Sequence, residues 1–309
     1  MFQHKDYVLT IYESGGFTKA AEKLFVSQPS LSATIKRLEE KTGAPIFDRS
    51  SSPVTLTEVG REYVKYAMQI KEIERDFERY VSDHGKLITG NIRIGGSSFF
   101  SSFILPEMIS SFNEKYSGIE FEIFEDSTKN LIAKIVDGSL DLIIDNAKLD
   151  EQNMISEIYT SERLLLVVPK KFAINEALKK ERFTAEQIKA DEHQKSRGID
   201  FSKLKNLPFI LLHHENDTGK RAERLFKKYG MTPNVAFYLD QQVTSYNLAC
   251  TGMGIAFVGD TLVKRISAAP DVYYYTVNDR LATRNIYFYH KKNHYLSLAC
   301  KKFIEYNIE

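Results

Sequence analysis

Gln28, Ser30, Ser32, Lys36 and Arg37 lie close together in the segment SQPSLSATIKR. Their amide, hydroxyl and cationic groups are the kinds that hydrogen-bond base edges and phosphates in a DNA major groove. No comparable set for catalysis emerges. No serine stands in a GxSxG elbow, and the histidines lack metal-ligand spacing. Glu39 and Glu40 read as a helix surface. The stretch TGMGIAFVG follows a helix pattern and precedes a strand pattern, the reverse of a dinucleotide fingerprint. Gly252 and Gly254 are therefore assigned to a helix end and turn. No catalytic residue, metal or cofactor is expected, and the chain reads as a non-enzyme.

Two short helices must hold that segment. Thr18 is placed as the cap of the first, followed by Ala20, Ala21 and Leu24 at a helical period. The two alanines allow another helix to approach closely. Ser27 is the expected cap of the second helix. Pro29 falls in its first turn, where the missing N–H costs little. Leu31, Ile35 and Leu38 form one apolar stripe, which leaves Gln28, Ser30, Ser32, Ala33, Lys36 and Arg37 on a small polar face. This is the helix-turn-helix pattern. Beyond Gly43, Ile46 and Phe47 read as strand, Ser50, Ser51 and Ser52 as a polar loop, and Val54, Leu56 and Val59 resume the apolar pattern. The reading is a wing, with Arg49 at its base within reach of a phosphate.

From Glu58 to about Lys86, apolar residues recur at Val59, Tyr63, Tyr66, Ile70, Ile73, Phe77 and Tyr80. Alternating spacings of four and three make a heptad stripe, with charged residues on the other faces. A helix this apolar on one side is expected to self-associate. Gly85 and Gly90 then mark the exit into a second domain.

Composition bounds the partners less than position does. The chain has 309 residues, a hydrophobic fraction of 43% and a net charge of +1. Residues 1–90 hold thirteen Lys and Arg against thirteen Asp and Glu, so bulk charge does not point to nucleic acid. No stretch approaches a membrane helix, and MFQHKDYVLTIYESGG is not a secretory signal, so no membrane partner and a cytoplasmic location are expected. Cys250 and Cys300 sit among apolar neighbours and read as buried thiols.

The run GGFTKAAEKLFVSQPSLSATIKRLEEKTGAPIFDR and the following VTLTEVG resemble the LysR-type transcriptional regulators. The segments IRIGGSSFFSSFILPEMISSFNEKYSGIEFEI, LIAKIVDGSLDLII and GMGIAFVGD extend the resemblance over nearly the whole chain. It implies an α+β/α/β two-domain protein. An N-terminal winged helix-turn-helix (1–58) is followed by a dimerisation linker helix (59–89). A type 2 periplasmic-binding-protein-like regulatory domain (90–309) then comprises two α/β subdomains, 90–161 with 268–309 and 162–267. The implied partners are promoter DNA, a small-molecule effector and further copies of the chain in a homodimer or homotetramer. The DNA-facing residues expected are Thr18, Ser27, Gln28, Pro29, Ser30, Ser32, Ala33, Lys36, Arg37 and Arg49. Two departures from the family pattern are the serine-rich wing and Ala33, where the family often carries a large polar residue.

Effectors in open α/β sheets bind beyond the carboxyl ends of strands. Ser97, Ser98 and Phe99 follow the strand NIRIGG, and Thr128 follows IEFEIF. His213 and His214 follow FILL, and Thr244 and Ser245 open the helix leading to GMGIAF. Of these, Ser97, Ser98, Phe99, Thr128, His213, Thr244 and Ser245 are the expected effector residues. Residues 171–206 are longer than the family pattern and charged, with no clear apolar stripe, and read as an exposed insertion. The large domain alone also fits a solute-binding protein or, less well, an α/β enzyme.

Overall fold

The computed structural model describes residues 1–50, 53–83, 90–149, 152–267 and 269–308. Ser51 and Ser52 of the expected wing and Gly85 of the expected exit lie outside the described residues. The chain forms two compact units, one built on residues up to Asp83 together with Val136–Ser139 and one on the remaining residues from Gly90 onward.

The first unit holds α1 (Lys5–Ser14), α2 (Phe17–Lys23), α3 (Gln28–Thr42), β1 (Phe47–Asp48), β2 (Thr55–Leu56) and α4 (Glu58–Asp83). Ser27 caps α3, its hydroxyl accepting the Ser30 N–H at 3.4 Å. Thr18 does not cap α2. Gly16 takes that position with extended backbone, and Thr18 lies exposed inside the helix. The turn between α2 and α3 satisfies two helix-end carbonyls. Val26 N–H reaches Ala21 O at 3.1 Å and Phe25 N–H reaches Glu22 O at 3.2 Å, a Schellman motif. Phe25 takes the left-handed position, at φ 53°, where glycine is usual. Leu31, Ile35 and Leu38 are buried against Val8, Leu9, Ile11, Ala20 and Ala21. Each such burial contributes about 1.5–3 kcal/mol, and together they fix which face of α3 is outward.

β1 and β2 pair antiparallel, Phe47 opposite Leu56. Gly60 opens the first turn of α4 beneath them. A Cβ there would overlap the Ile46 carbonyl oxygen. Gly60→Ala should therefore destabilise the N-terminal unit by about 1–3 kcal/mol or displace the wing. Thermal unfolding by circular dichroism checks this, and an unchanged midpoint with unchanged DNA affinity would refute it.

The apolar stripe of α4 divides. Tyr63 turns inward with Val64 and Ala67, and its ring stacks on Phe2 at 4.8 Å. The rest stays outside, with Val59, Tyr66, Ile73, Phe77 and Tyr80 between 44% and 67% exposed.

The second unit begins with β3 (Gly90–Gly96), α5 (Ser98–Phe103), α6 (Leu105–Lys115), β4 (Ile119–Glu125), α7 (Thr128–Val136), β5 (Leu142–Asp145) and β6 (Met154–Pro169). It continues with α8 (Ile174–Ala177), α9 (Ala185–Lys189), β7 (Pro208–Leu212), α10 (Asp217–Lys228), β8 (Asn234–Leu239), α11 (Gln242–Cys250), β9 (Ile255–Gly259) and α12 (Asp260–Arg265). β10 (Val272–Thr276), β11 (Thr283–Lys291) and α13 (Leu298–Ile308) complete it. The strands run in the order β4-β3-β5-β11-β6-β9-β7-β8, with β10 also on β6. β6 joins two halves. Its first part pairs with β11, and its second part, from Leu164, pairs with β9 and β10. β10 lies beyond the boundary at 267 drawn from sequence, yet it pairs in the β9 half. The return crossing therefore falls between β10 and β11.

Residues 171–206 are not an exposed insertion. Phe183 bridges Tyr274 and Ile199 bridges Val277. Ala185, Ile188, Ile199, Phe201 and Leu204 are buried. Arg163 on β6 donates to the carbonyls of His193 (2.9 Å), Gln194 (3.4 Å) and Ser196 (2.9 Å), which ties the segment to the sheet. Cys250 is half-buried and Cys300 buried. Gly252 ends α11 at φ 86°, the turn role expected of it. Among the described residues, no helix is long and apolar enough to cross a membrane.

Candidate functional site

The first site is the outward face of α3. Gln28, Pro29, Ser30, Ala33, Lys36 and Arg37 are exposed, Ser27 is exposed at the cap, and Ser32 is half-buried. No acidic residue occupies the first turn of α3. Ser27 takes the Ser30 N–H and Pro29 has none, so what the start of α3 offers a phosphate is chiefly its partial positive charge. Arg49 reaches back from β1 to this helix. Its Nη2 meets Glu39 Oε2 at 3.0 Å, its Nη1 meets Ser32 Oγ at 3.4 Å, and its guanidinium lies 4.8 Å over the Phe17 ring. Glu39 is more than the surface carboxylate of the sequence reading. Its Oε1 accepts the backbone N–H groups of Ile46 (2.9 Å) and Phe47 (3.2 Å). One carboxylate thus fixes the wing to α3 and positions Arg49 beside Ser32. Phe25 stands 96% exposed just ahead of α3. No short-range pattern marks Glu39, because its role depends on contacts with the wing.

The second site is a cavity of about 40 Å³ in the larger unit. It is lined by Ser97, Phe99, Phe100, Thr128, Asp145, Asn146, Asn216, Asp217, Thr218, Gln241 and Gln242. Most of these follow strand ends or open helices: Ser97 after β3, Thr128 after β4, Asp145 and Asn146 at the end of β5, Asn216 and Asp217 at α10, and Gln241 at α11. Of the sequence-expected effector residues, Ser97, Phe99 and Thr128 line it. Ser98, His213, Thr244 and Ser245 do not. Ser98, the first residue of α5, is half-buried. His213 is exposed and stacks on Tyr238 at 5.6 Å. Thr244 is exposed, and the buried Ser245 hydroxyl donates to Gln242 O at 2.8 Å. His214 is likewise exposed. Asp145, Asn146, Asp217 and Gln242, at strand ends and helix starts that the sequence does not single out, also line it.

Charge beneath the cavity is arranged unevenly. Asp145 accepts the Thr128 hydroxyl at 2.7 Å and the Ala147 N–H at 2.7 Å. Burial pushes its pKa up, against those two hydrogen bonds. Among the described residues no lysine, arginine or histidine forms a salt bridge with it. Arg284 lies deeper, its Nε 2.7 Å from Glu162 Oε1 and its Nη1 2.8 Å from Asp217 Oδ2. Burial works against the charged form of Arg284, but those two carboxylates outweigh it and raise its pKa. Burial would likewise raise Asp217, yet Arg284 and Arg221 hold it below the ordinary carboxylate range. Arg284 Nη2 has no hydrogen-bond partner among the described residues.

Asp191, His193 and Asp260 come close enough together to suggest a metal site. Lys264 Nζ instead sits 2.6 Å from Asp191 and 3.7 Å from Asp260, so an ammonium already supplies the positive charge there. The cluster reads as a structural tie holding the 171–206 segment to α12.

Known proteins resemble this chain along its full length. Residues 2–61 match the profile described as "Bacterial regulatory helix-turn-helix protein, lysR family", and residues 85–309 match "LysR substrate binding domain". An uncharacterized HTH-type transcriptional regulator, YcgK of Bacillus subtilis (strain 168), is 28% identical over 98% of this chain and 93% of its own length. A probable RuBisCO transcriptional regulator of Trieres chinensis is 26% identical over 87% of this chain and 83% of its own. Among solved structures, a full-length OxyR variant from Pseudomonas aeruginosa superposes with TM-score 0.72 at 20% identity, covering 100% of this chain and 94% of that one. Full-length CbnR complexed with its target DNA superposes with TM-score 0.64 at 15% identity, covering 100% and 98%.

Proposed function

The chain belongs to the LysR family of transcriptional regulators, and from that premise we propose that α3 and Arg49 read promoter DNA while the cavity beside Asp145 receives the effector. The family assigns it regulation of transcription through DNA binding and an effector-binding domain. The observation that supports the DNA reading is the buried stripe Leu31, Ile35 and Leu38, which orients Gln28, Ser30 and Lys36 outward beside Arg49. Small residues at Ser30, Ser32 and Ala33 let α3 approach the groove closely. Gln28 is assigned to base reading, Lys36 to phosphate, and Ser30 and Arg49 to phosphate or base-edge contacts. Thr18, Ser27, Pro29 and Arg37 flank that surface. The chain acts as a regulator and not as an enzyme, and it works in the cytoplasm, where promoter DNA lies.

The protein works as a dimer or tetramer. The exposed α4 stripe supports pairing, because a helix presenting Ile73 and Phe77 to water gains by burying them. The sheet also ends in β4 and β8, with Ile123, Phe237 and Tyr238 exposed along those edge strands. Such edges are surfaces on which further copies can assemble.

Fluorescence anisotropy on the upstream region of its own gene, across a salt series, tests the reading. Binding should fall steeply with salt and exceed binding to random duplex. Gln28→Ala should cost about 1–3 kcal/mol and relax discrimination at one base position. Lys36→Ala should weaken all sequences alike and reduce the salt slope by about one. Equal affinity for random DNA would defeat the assignment.

A further inference from the structure

The cavity wall has a sign. It carries two carboxylates, Asp145 and Asp217, and among its described lining residues there is no lysine, arginine or histidine. The two acids are not equivalent. Asp217 is held by Arg284 at 2.8 Å and Arg221 at 2.6 Å. Asp145 is 3% exposed and, among the described residues, its carboxylate accepts only a hydroxyl and a backbone N–H, with Arg284 acting on it through space and not in a salt bridge. A buried carboxylate costs free energy unless a cation meets it. Phe99 and Phe100 line the same cavity, and aromatic rings attract cations.

We propose that the effector carries a cationic ammonium group and seats it against Asp145 beside Phe99. This rests on the reading of the cavity as the effector site. A volume of about 40 Å³ corresponds to roughly three water molecules at 10–15 Å³ each. A small head group enters, and the rest of a larger ligand lies outside or parts the two halves. Two features favour an anion instead. The starts of α7, α10 and α11 carry partial positive charge, and Arg284 Nη2 is unpartnered. Neither outweighs the carboxylates. The start of α10 is taken by Asp217 and by Asn216, whose side chain caps it at 2.9 Å. Arg284 is not part of the cavity lining and already holds two carboxylates, so an incoming anion meets Asp145 and Asp217 first.

The test uses the full-length protein and matched probes: putrescine and ethanolamine as ammonium compounds, 1,4-butanediol as neutral, and acetate and succinate as anions. Thermal stability and calorimetric binding are measured for each. The ammonium probes should stabilise the protein, and the diol and the anions should not. Asp145→Asn should weaken ammonium binding by roughly 10- to 100-fold, the worth of a hydrogen bond to a charged group. The selectivity among probes in the unaltered protein is independent of whether that variant folds. Stabilisation by the anions alone overturns the ammonium assignment and leaves the cavity reading intact, provided Thr128→Val abolishes it. Ammonium binding that survives both Asp145→Asn and Thr128→Val overturns the cavity reading itself. Absence of any response to the ammonium probes also overturns the proposal.

Discussion

Replacing Arg284 with alanine should lower the stability of the larger unit by about 3–5 kcal/mol, the usual cost of removing one partner from a buried ion network. The guanidinium is 1% exposed and Glu162 is 0% exposed. Without it, Glu162 keeps only the Asn146 amide and the Thr261 hydroxyl, and Asp217 keeps Arg221. Glu162 is then a buried carboxylate that no cation meets. The network spans the two halves of the sheet: Glu162 lies on β6, Asp217 on α10 and Arg284 on β11. Its loss should loosen the domain as a whole. The sequence contains no tryptophan, so urea unfolding is best followed by far-ultraviolet circular dichroism. The double variant Arg284→Met with Glu162→Gln should recover much of the loss, because removing both charges removes the unpaired one. An Arg284→Ala midpoint within error of the parent would refute this account.

The second large effect concerns assembly. Introducing Glu at Ile73 and Phe77 together should convert the protein to a monomer and weaken promoter binding by about 10²- to 10⁴-fold, the gain that bivalent engagement ordinarily supplies. Both residues are exposed in the single chain, at 65% and 67%. Neither packs into the N-terminal core, which uses Tyr63, Val64 and Ala67 instead. The fold of the helix-turn-helix should survive, and circular dichroism should confirm that. Sedimentation velocity reports the oligomer and anisotropy the affinity. A variant that remains dimeric, or a monomer that binds the promoter as tightly as the parent, would show that pairing lies elsewhere.

Which parts were readable from sequence follows from the range of the contacts involved. The α3 stripe repeats every three to four residues, so Leu31, Ile35 and Leu38 identify the buried face without any tertiary information. Ser27 and Pro29 mark its start equally locally. Thr18 misled because a threonine near a helix start resembles a cap, whereas Gly16 takes that place. The 171–206 segment misled for a different reason. Ala185, Ile188, Ile199 and Phe201 are buried, but the chain alternates short helix, bridge and 3-10 turn there. No single period survives for a stripe test to find. The cavity was half legible. Ser97, Phe99 and Thr128 follow from strand ends, but Asp145 acquires its character only from burial and from the charges that pair around it. Glu39 was taken for surface because its partners, Ile46, Phe47 and Arg49, lie beyond the helix that carries it.

The placement of β11 bears on synthesis. It lies between β5 and β6 in the sheet, yet it is the last strand of the chain. Until it emerges from the ribosome, β5 and the first part of β6 each lack a neighbour on that side, and their hydrogen-bonding edges stay open. Pairings this distant in sequence form late. The helix-turn-helix core of Val8, Leu9, Ala20, Leu31 and Ile35 closes with Tyr63, Val64 and Ala67 of α4 and can form while translation continues. A chain interrupted before Thr283 would therefore carry a complete DNA reader and pairing helix but no finished effector half. Such a fragment would occupy its promoter without answering to the signal, which makes prompt degradation of incomplete chains a condition of faithful control.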